Sequence, residues 1–190
     1  MRLILTRHGE TIQNKENIVQ GHGTGVLSVE GVEQAKKLGI RLMGEKIDVI
    51  YSSDLERASK TTREIAKYHK NVPVVFLEEI RERFLGSLQG MNAYEINWNE
   101  EPSDVEAKEA MKDRAEKFLL KIFKKHKGKN VIVVSHGGFN RSLIAVIKEI
   151  DFGEIPNMDK PKNTSVYIIN FDDEMKAEIE LENCIEHLNI

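Results

Sequence analysis

The run VIVVS at residues 131–135 constrains the fold more than any other stretch of this sequence. Its first four residues are β-branched, a pattern that favours a strand, and no polar residue interrupts them before Ser135. A strand that is apolar on both faces has to be covered on both faces. This is typical of the central strand of a parallel sheet that is flanked by helices. The run therefore predicts an α/β fold with this strand near its centre.

The rest of the chain alternates between strand and helix patterns. We predict strands at about residues 2–6, 48–51, 73–77, 131–135, 165–171 and 176–182, and helices at about 29–44, 54–70, 103–126 and 138–149. Ser28 and Ser53 are predicted to cap the first two helices. Because strands alternate with helices, the sheet is predicted to be largely parallel, with a hairpin at its end.

The length of 190 residues favours one domain that spans residues 1–190. The least regular stretch is 84–104, which contains Gly86, Gly90, Trp98 and Pro102. We predict that this stretch forms a loop or a small cap over one end of the sheet.

Charge and composition exclude several classes of function. The net charge is −3, so no basic excess draws the chain toward nucleic acid or an anionic membrane. Cys184 is the only cysteine, which excludes an intramolecular disulfide and a cysteine-rich zinc site. The first apolar run ends at Leu5, and no run approaches the ~18 residues of a membrane span. We therefore expect a cytoplasmic protein, and since no tract has coiled-coil heptads, the sequence assigns no oligomeric state.

Chemically versatile side chains follow the predicted strands. His8 follows the first strand, and His136 follows the predicted central strand. Arg57 lies early in the helix after the second strand, and Glu82 lies shortly after the third. Ligands of open α/β sheets bind beyond the carboxyl ends of the strands, so these four side chains are expected to share one crevice.

This set of residues suits phosphoryl transfer. Arginine is permanently charged and matches phosphate oxygens bidentately, so Arg7 and Arg57 can neutralise a transition state without a metal. Neighbouring arginines favour the neutral, nucleophilic form of an imidazole. A carboxylic acid can then protonate the leaving oxygen. The spacing alone leaves open whether His8 or His136 is the nucleophile.

The chain resembles the histidine phosphatase superfamily, which is also called the phosphoglycerate mutase-like family. The matching segments are LTRHGETIQNKENIVQG (5–21), LSVEGVEQAKKLG (27–39), YSSDLERASKTT (51–62), IRERFLGSLQG (80–90), VIVVSHGGFNRSL (131–143) and, more weakly, KNTSV (162–166). Five strong blocks in the family's order span nearly the whole chain. The resemblance implies a three-layer αβα sandwich and a phosphohistidine intermediate, with neither metal nor cofactor.

The resemblance also implies a role for individual residues. His8 would be the phosphorylated nucleophile, and Glu82 would be the proton donor. The phosphate pocket would be completed by Arg7, Arg57, His136 and the backbone N–H of Gly137. Substrate-side contacts would come from Asn14, Gln20, Gly21 and Arg83.

Two departures from the family pattern refine the expected activity. The Gly-Glu-Ser segment that often precedes the long helix of the family is replaced here by EEPSDVEAKEAMKDR. Only 54 positions separate Glu82 from His136, whereas the mutases have a much longer insertion there. The shorter segment is similar to the phosphatase branch, and the blocks around His8 and Glu82 are most similar to fructose-2,6-bisphosphatase-type enzymes. We therefore expect hydrolysis of small phosphorylated metabolites, with sugar phosphates as one possible class.

Three alternatives stay open at this point. The protein could instead be a phosphoglycerate mutase, which would use the same residues. It could also be a non-catalytic domain that binds phosphate. Glu79 is the alternative to Glu82 as the acid. The remaining histidines, which are His22, His69, His126 and His187, are expected at the surface, with His22 closest to the substrate side.

Overall fold

The computed structural model describes residues 1–189 of the chain as a six-stranded sheet with helices on both faces. The strands are β1 (Arg2–Arg7), β2 (Val49–Ser53), β3 (Val74–Leu77), β4 (Asn130–Ser135), β5 (Val166–Phe171) and β6 (Ala177–Cys184). Their order across the sheet is β3-β2-β4-β1-β5-β6. The first four of these strands in sheet order run parallel, and β5 and β6 add an antiparallel hairpin at one edge.

Among residues 1–189, five α-helices accompany the sheet. They are α1 (Ile12–Lys15), α2 (Val29–Leu42), α3 (Glu56–Ala66), α4 (Lys108–Lys125) and α5 (Gly137–Ile147). Two buried apolar clusters place the four longer helices in two layers. One cluster joins α4 and α5 to one face of the sheet, and the other joins α2 and α3 to the opposite face. The predicted α/β fold with a mostly parallel sheet between two helical layers is confirmed.

The central position of VIVVS is the reason for both clusters. Val131 and Val133 belong to the cluster under α4 and α5, while Ile132 and Val134 belong to the cluster under α2 and α3. All four residues are fully buried. Because successive side chains of a strand point to opposite faces of the sheet, each helical layer packs against two of these four residues.

Two predicted helix starts differ from the structure. Ser28 caps α2 by accepting from the N–H of Gly31, but Ser53 does not cap α3, which begins three residues later at Glu56. The Ser53 hydroxyl instead accepts from the N–H of Leu55 at 3.3 Å. Helix α4 begins at Lys108 rather than near residue 103. Asp104 and Glu106, just before it, instead accept hydrogen bonds from the N–H groups of Ser87 and Phe84.

The expectation of surface histidines is wrong for two of the four. His69 and His187 are both buried, with 8% and 4% of their surfaces exposed. The ring of His69 donates to the Leu42 carbonyl at 3.1 Å, and the ring of His187 lies 3.4 Å from the Thr164 hydroxyl. Each ring contacts a residue that is distant in sequence, so the polar atoms of both rings have structural roles.

The described residues contain no helix that is both long enough and apolar enough to cross a membrane. The longest helix, α4, has 18 residues, and most of its residues outside the buried stripe are charged.

Candidate active site

Parallel pairing of β1 and β4 brings the two histidines together. Arg7 lies opposite Ser135 in the register, so the residues that follow, His8 and His136, leave the sheet side by side. The N–H of His8 donates to the Ser135 carbonyl at 3.0 Å, which extends the pairing by one residue. The two imidazole rings lie with their centroids 5.2 Å apart.

The ring of His8 is held in one tautomer. Its Nδ1 lies 2.7 Å from the Gly9 carbonyl oxygen, which can only accept, so Nδ1 carries the proton and Nε2 has a free lone pair. The ring is buried at the base of a cleft. Burial, followed by the positive charges of Arg57 and Arg7, holds the pKa of His8 well below its usual value. The imidazole is therefore neutral and nucleophilic at physiological pH.

Two arginines lie close to this ring, of which Arg57 is buried and Arg7 is partly buried. The Nη1 of Arg7 donates to the Pro161 carbonyl at 3.0 Å, and Arg57 donates to the carbonyls of Gly21 and Gly23 at 2.7 and 3.2 Å. Burial is the main cause that lowers the pKa of Arg57 to about 10, so this guanidinium stays charged at neutral pH. These contacts fix both guanidinium groups before any substrate arrives.

Several buried donors of this cluster have no hydrogen-bond partner among residues 1–189. They are the Nε atoms of Arg7 and Arg57 and the one ring nitrogen of His136 that carries a proton in the neutral ring; the other ring nitrogen of His136 is an acceptor without a partner in the same range of residues. Buried donors without partners are costly, and such a group at a site is explained by the ligand it receives. Burial, and then Arg57, keeps the pKa of His136 well below its usual value, so this ring is also neutral.

The start of helix α5 completes the same region. Gly137 is the first residue of the helix, and its N–H has no acceptor within the helix. A Cβ atom at Gly137 would lie 3.3 Å from the Arg7 Nε, so this backbone segment faces the arginine closely. A helix N-terminus with an adjacent arginine is suited to bind an anion such as phosphate.

Glu82 lies against the next residues of α5. Its carboxylate accepts from the N–H groups of Gly138 and Phe139 at 2.9 and 3.1 Å, and from that of Arg83 at 2.9 Å. A Cβ at Gly138 would lie 2.4 Å from the Glu82 Oε1, so a side chain at this position would displace the carboxylate. The alternative acid, Glu79, instead pairs with Lys121 at 2.7 Å and does not line the cleft.

The predicted substrate-side residues also line the cleft, but most have structural contacts. Asn14 caps α1 with its Oδ1, and the Gly21 carbonyl orients Arg57. The Oε1 of Gln20 is buried and has no partner within the described part of the chain. Arg83 forms a bidentate ion pair with Glu101 at 2.8 and 2.6 Å, so its guanidinium is already occupied.

Sequence reasoning assigned no role to the residues that hold these groups in place, although it singled out His22 as the other histidine near the substrate side. Asn163 donates to the His8 carbonyl at 3.0 Å, and its weak block KNTSV was the only signal for it. The His22 ring donates to the Glu82 carbonyl at 2.7 Å. Arg114, on α4, donates to the carbonyls of Glu79 and Arg81 at 2.9 and 2.8 Å. A polar helix gives no pattern that would single out Arg114.

The loop that carries His8 packs against α2 through two glycines. A Cβ at Gly31 would lie 1.8 Å from the Glu10 carbonyl oxygen, and a Cβ at Gly9 would lie 2.4 Å from the Gly31 oxygen. Both obstacles are backbone atoms, which cannot rotate away. Helix and loop therefore touch at the closest distance that two backbones allow.

We expect Gly31→Ala to destabilise the protein by about 2–3 kcal/mol, because the overpacking cost exceeds the gain in helix propensity. Urea unfolding followed by circular dichroism measures the change. Gly44→Ala is the matched control, since no atom lies within 4 Å of a Cβ at that position. Equal stability of the two variants would show that the loop and helix separate easily.

The cleft that opens above His8 has a volume of about 750 Å³. Its apolar wall includes Ile18, Leu85, Trp98 and Met111, and its floor includes Arg7, His8 and Arg57. The volume suits a small organic ester whose phosphate reaches the floor.

Comparisons with known proteins agree with this geometry. The model of the histidine phosphatase superfamily (branch 1) matches residues 3–184. Two Arabidopsis thaliana proteins are each 33% identical to the chain: phosphoglycerate mutase-like protein 4 (98% of this chain, 86% of the relative) and a metal-independent phosphoserine phosphatase (98% and 83%). The structure of Bacillus stearothermophilus YhfR superposes with a TM-score of 0.91 at 28% identity, covering 98% of both chains. The chain therefore belongs to the histidine phosphatase superfamily, branch 1.

Proposed function

We propose that this protein is a phosphatase that hydrolyses small phosphomonoesters, including sugar phosphates, through a phosphorylated His8. The observation that carries the proposal is the neutral His8, with its Nδ1 proton held by Gly9, among buried arginine and histidine donors without partners. The family and the named phosphatases among its relatives support a phosphoric monoester hydrolase.

In the first half-reaction, the Nε2 of His8 attacks phosphorus, and the bond from phosphorus to the ester oxygen breaks. Arg7, Arg57, His136 and the N–H of Gly137 bind the phosphoryl oxygens and stabilise the charge that spreads over them. Glu82, in its protonated form, gives its proton to the leaving alkoxide. The products of this step are the free alcohol, phospho-His8 and the Glu82 carboxylate.

In the second half-reaction, water replaces the alcohol. The Glu82 carboxylate takes a proton from water while the water oxygen attacks phosphorus and the bond to His8 breaks. Inorganic phosphate leaves, and His8 and protonated Glu82 are restored. One carboxyl group thus serves as acid and then as base, as reversibility of the two steps requires.

Phosphoglycerate mutase is the second candidate, favoured by the name of one Arabidopsis relative. It would use the same phospho-His8 but return the phosphoryl group to a second hydroxyl. The short segment between Glu82 and His136 favours water as the acceptor.

The test is phosphate release from a panel of esters in EDTA. We expect hydrolysis that EDTA does not reduce, because protein donors supply all the charge that the phosphoryl group needs. The panel contains sugar phosphates, fructose bisphosphates, phosphoglycerates, phosphoserine, nucleotides and p-nitrophenyl phosphate. Isomerisation of 3-phosphoglycerate that depends on a bisphosphate primer would identify a mutase. Loss of activity in EDTA, restored by a metal, would contradict the proposal.

A further inference from the structure

The cleft carries more positive charge than one phosphate requires. Its lining side chains include two carboxylates, Glu82 and Glu101, and the six cations Arg7, Arg57, Arg83, Lys108, Arg141 and Lys160. The whole chain has a net charge of −3, so this positive surplus is local. A cleft with one sign of charge concentrates ligands of the opposite sign.

Four of these cations already have assigned contacts. Arg7 and Arg57 lie beside His8 at the floor. Arg83 and Lys108 both pair with the Glu101 carboxylate, at 2.6 and 3.5 Å. Arg141 and Lys160 are therefore the two cations of the cleft lining that, among residues 1–189, have neither a carboxylate partner nor an assigned phosphate contact.

Arg141 is the more informative of the two. It lies on α5 one turn beyond Gly137, so its Cα is on the same face of the helix as the predicted phosphate-binding N–H. Its side chain is half-buried, and its guanidinium makes no hydrogen bond or ion pair within residues 1–189. Burial lowers the pKa of Arg141 and the Glu82 carboxylate raises it, so the group is charged and partly desolvated.

We propose that Arg141 recognises a second anionic group on the alcohol part of the substrate, so that the preferred esters are phosphorylated acids or bisphosphates. This inference rests on the proposed phosphatase function and adds the substrate class. Ser142 and Gly153 line the wall beside Arg141, and Lys160 lies exposed at the rim. The guanidinium fork binds a carboxylate or a phosphate equally through two parallel N–H groups.

The physical reason is that Arg141 lies near the proposed proton donor: Glu82 accepts from the N–H groups of Gly138 and Phe139, which precede Arg141 on α5 by three and two residues. Glu82, which must reach the leaving oxygen, is the carboxylate whose charge acts on Arg141. A charged group on the alcohol would satisfy the free guanidinium in a partly desolvated site, where a charge-assisted hydrogen bond is strong. A neutral alcohol would leave the guanidinium without a partner.

The experiment compares esters that differ only in the second anion. The pairs are 3-phosphoglycerate with glycerol 3-phosphate and O-phosphoserine with O-phosphoethanolamine. Fructose 1,6-bisphosphate with fructose 6-phosphate tests a second phosphate instead of a carboxylate. We expect wild type to prefer the anionic member of at least one pair. Arg141→Met should reduce that preference, measured as the ratio of kcat/KM values, by about ten- to a hundred-fold.

Two controls separate recognition from other effects. Arg141→Lys keeps the charge and should restore part of the preference. Arg63→Met removes an exposed arginine outside the cleft and should leave every ratio unchanged. Calorimetric binding of the same esters to His8→Ala, with and without Arg141→Met, gives a readout that does not depend on turnover.

The outcomes distinguish this inference from the proposed function. Equal losses on both members of every pair would overturn the inference, because Arg141 would then act on the phosphoryl group itself. Equal binding of both members to His8→Ala would also overturn it. Absence of hydrolysis of any ester would reject the phosphatase proposal, while the binding ratios would still decide the role of Arg141.

Discussion

His8→Ala is expected to abolish phosphate release, with a loss of at least ~10⁴-fold in kcat. The variant removes the Nε2 atom that we propose forms the covalent intermediate. His136 is neutral as well, but it leaves β4 rather than β1 and is assigned to binding the phosphoryl oxygens. Steady-state phosphate release from a favoured ester measures the loss.

The phosphorylated intermediate gives a direct test of the same residue. Rapid quenching of the wild type with labelled ester should trap label that is stable in alkali and labile in acid, on a peptide that contains His8. His126→Gln is the matched control, because this ring lies outside the cleft against the Tyr51 hydroxyl, 2.9 Å away. Label on His136, or substantial turnover by His8→Ala, would contradict the mechanism.

Glu82→Ala is expected to produce the second largest loss, and the loss should depend on the leaving group. An alkoxide needs a proton as it departs, so kcat for a sugar phosphate should fall by about 10²–10⁴-fold. p-Nitrophenolate is stable without that proton, so the loss of the first half-reaction should be much smaller for p-nitrophenyl phosphate. Burst amplitudes and steady-state rates on both esters measure the difference.

Glu79→Ala is the matched control for this variant. Glu79 lies three residues away, and its carboxylate pairs with Lys121 outside the cleft. We expect it to retain activity on both esters. Equal losses of Glu82→Ala on the two esters, in both the burst and the steady state, would indicate that Glu82 orients the site instead of transferring a proton. A large loss in Glu79→Ala would reassign the acid.

The strands were predictable from sequence because their physical causes are local. VIVVS is short, apolar and rich in β-branched residues, which favours a strand buried on both faces, and short apolar runs likewise precede His8 and Arg57. The common edge of the parallel strands then follows from topology alone. This is why the shared crevice of His8 and His136 could be expected before the structure.

The start of α4 was not predictable from sequence, because it is determined by contacts with residues that are distant in the chain. Residues 103–107 are compatible with a helix, but Asp104 accepts from the N–H of Ser87 at 2.7 Å and Glu106 accepts from the N–H of Phe84 at 2.9 Å. These contacts span 17 and 22 positions, and no periodic pattern reports them. The same applies to Arg114, whose carbonyl contacts position the loop before Glu82 from a distant helix.

The donors that we propose to bind the phosphoryl group would not contact the alcohol part of the substrate. Inorganic phosphate presents the same oxygens to Arg7, Arg57 and His136 as an ester does. Inorganic phosphate, the product of each cycle, should therefore compete with the ester for the same donors, because these donors contact only the phosphoryl oxygens that both molecules share. Turnover in a cell would follow the ratio of ester to free orthophosphate, so product inhibition links the rate to the phosphate status of the cell.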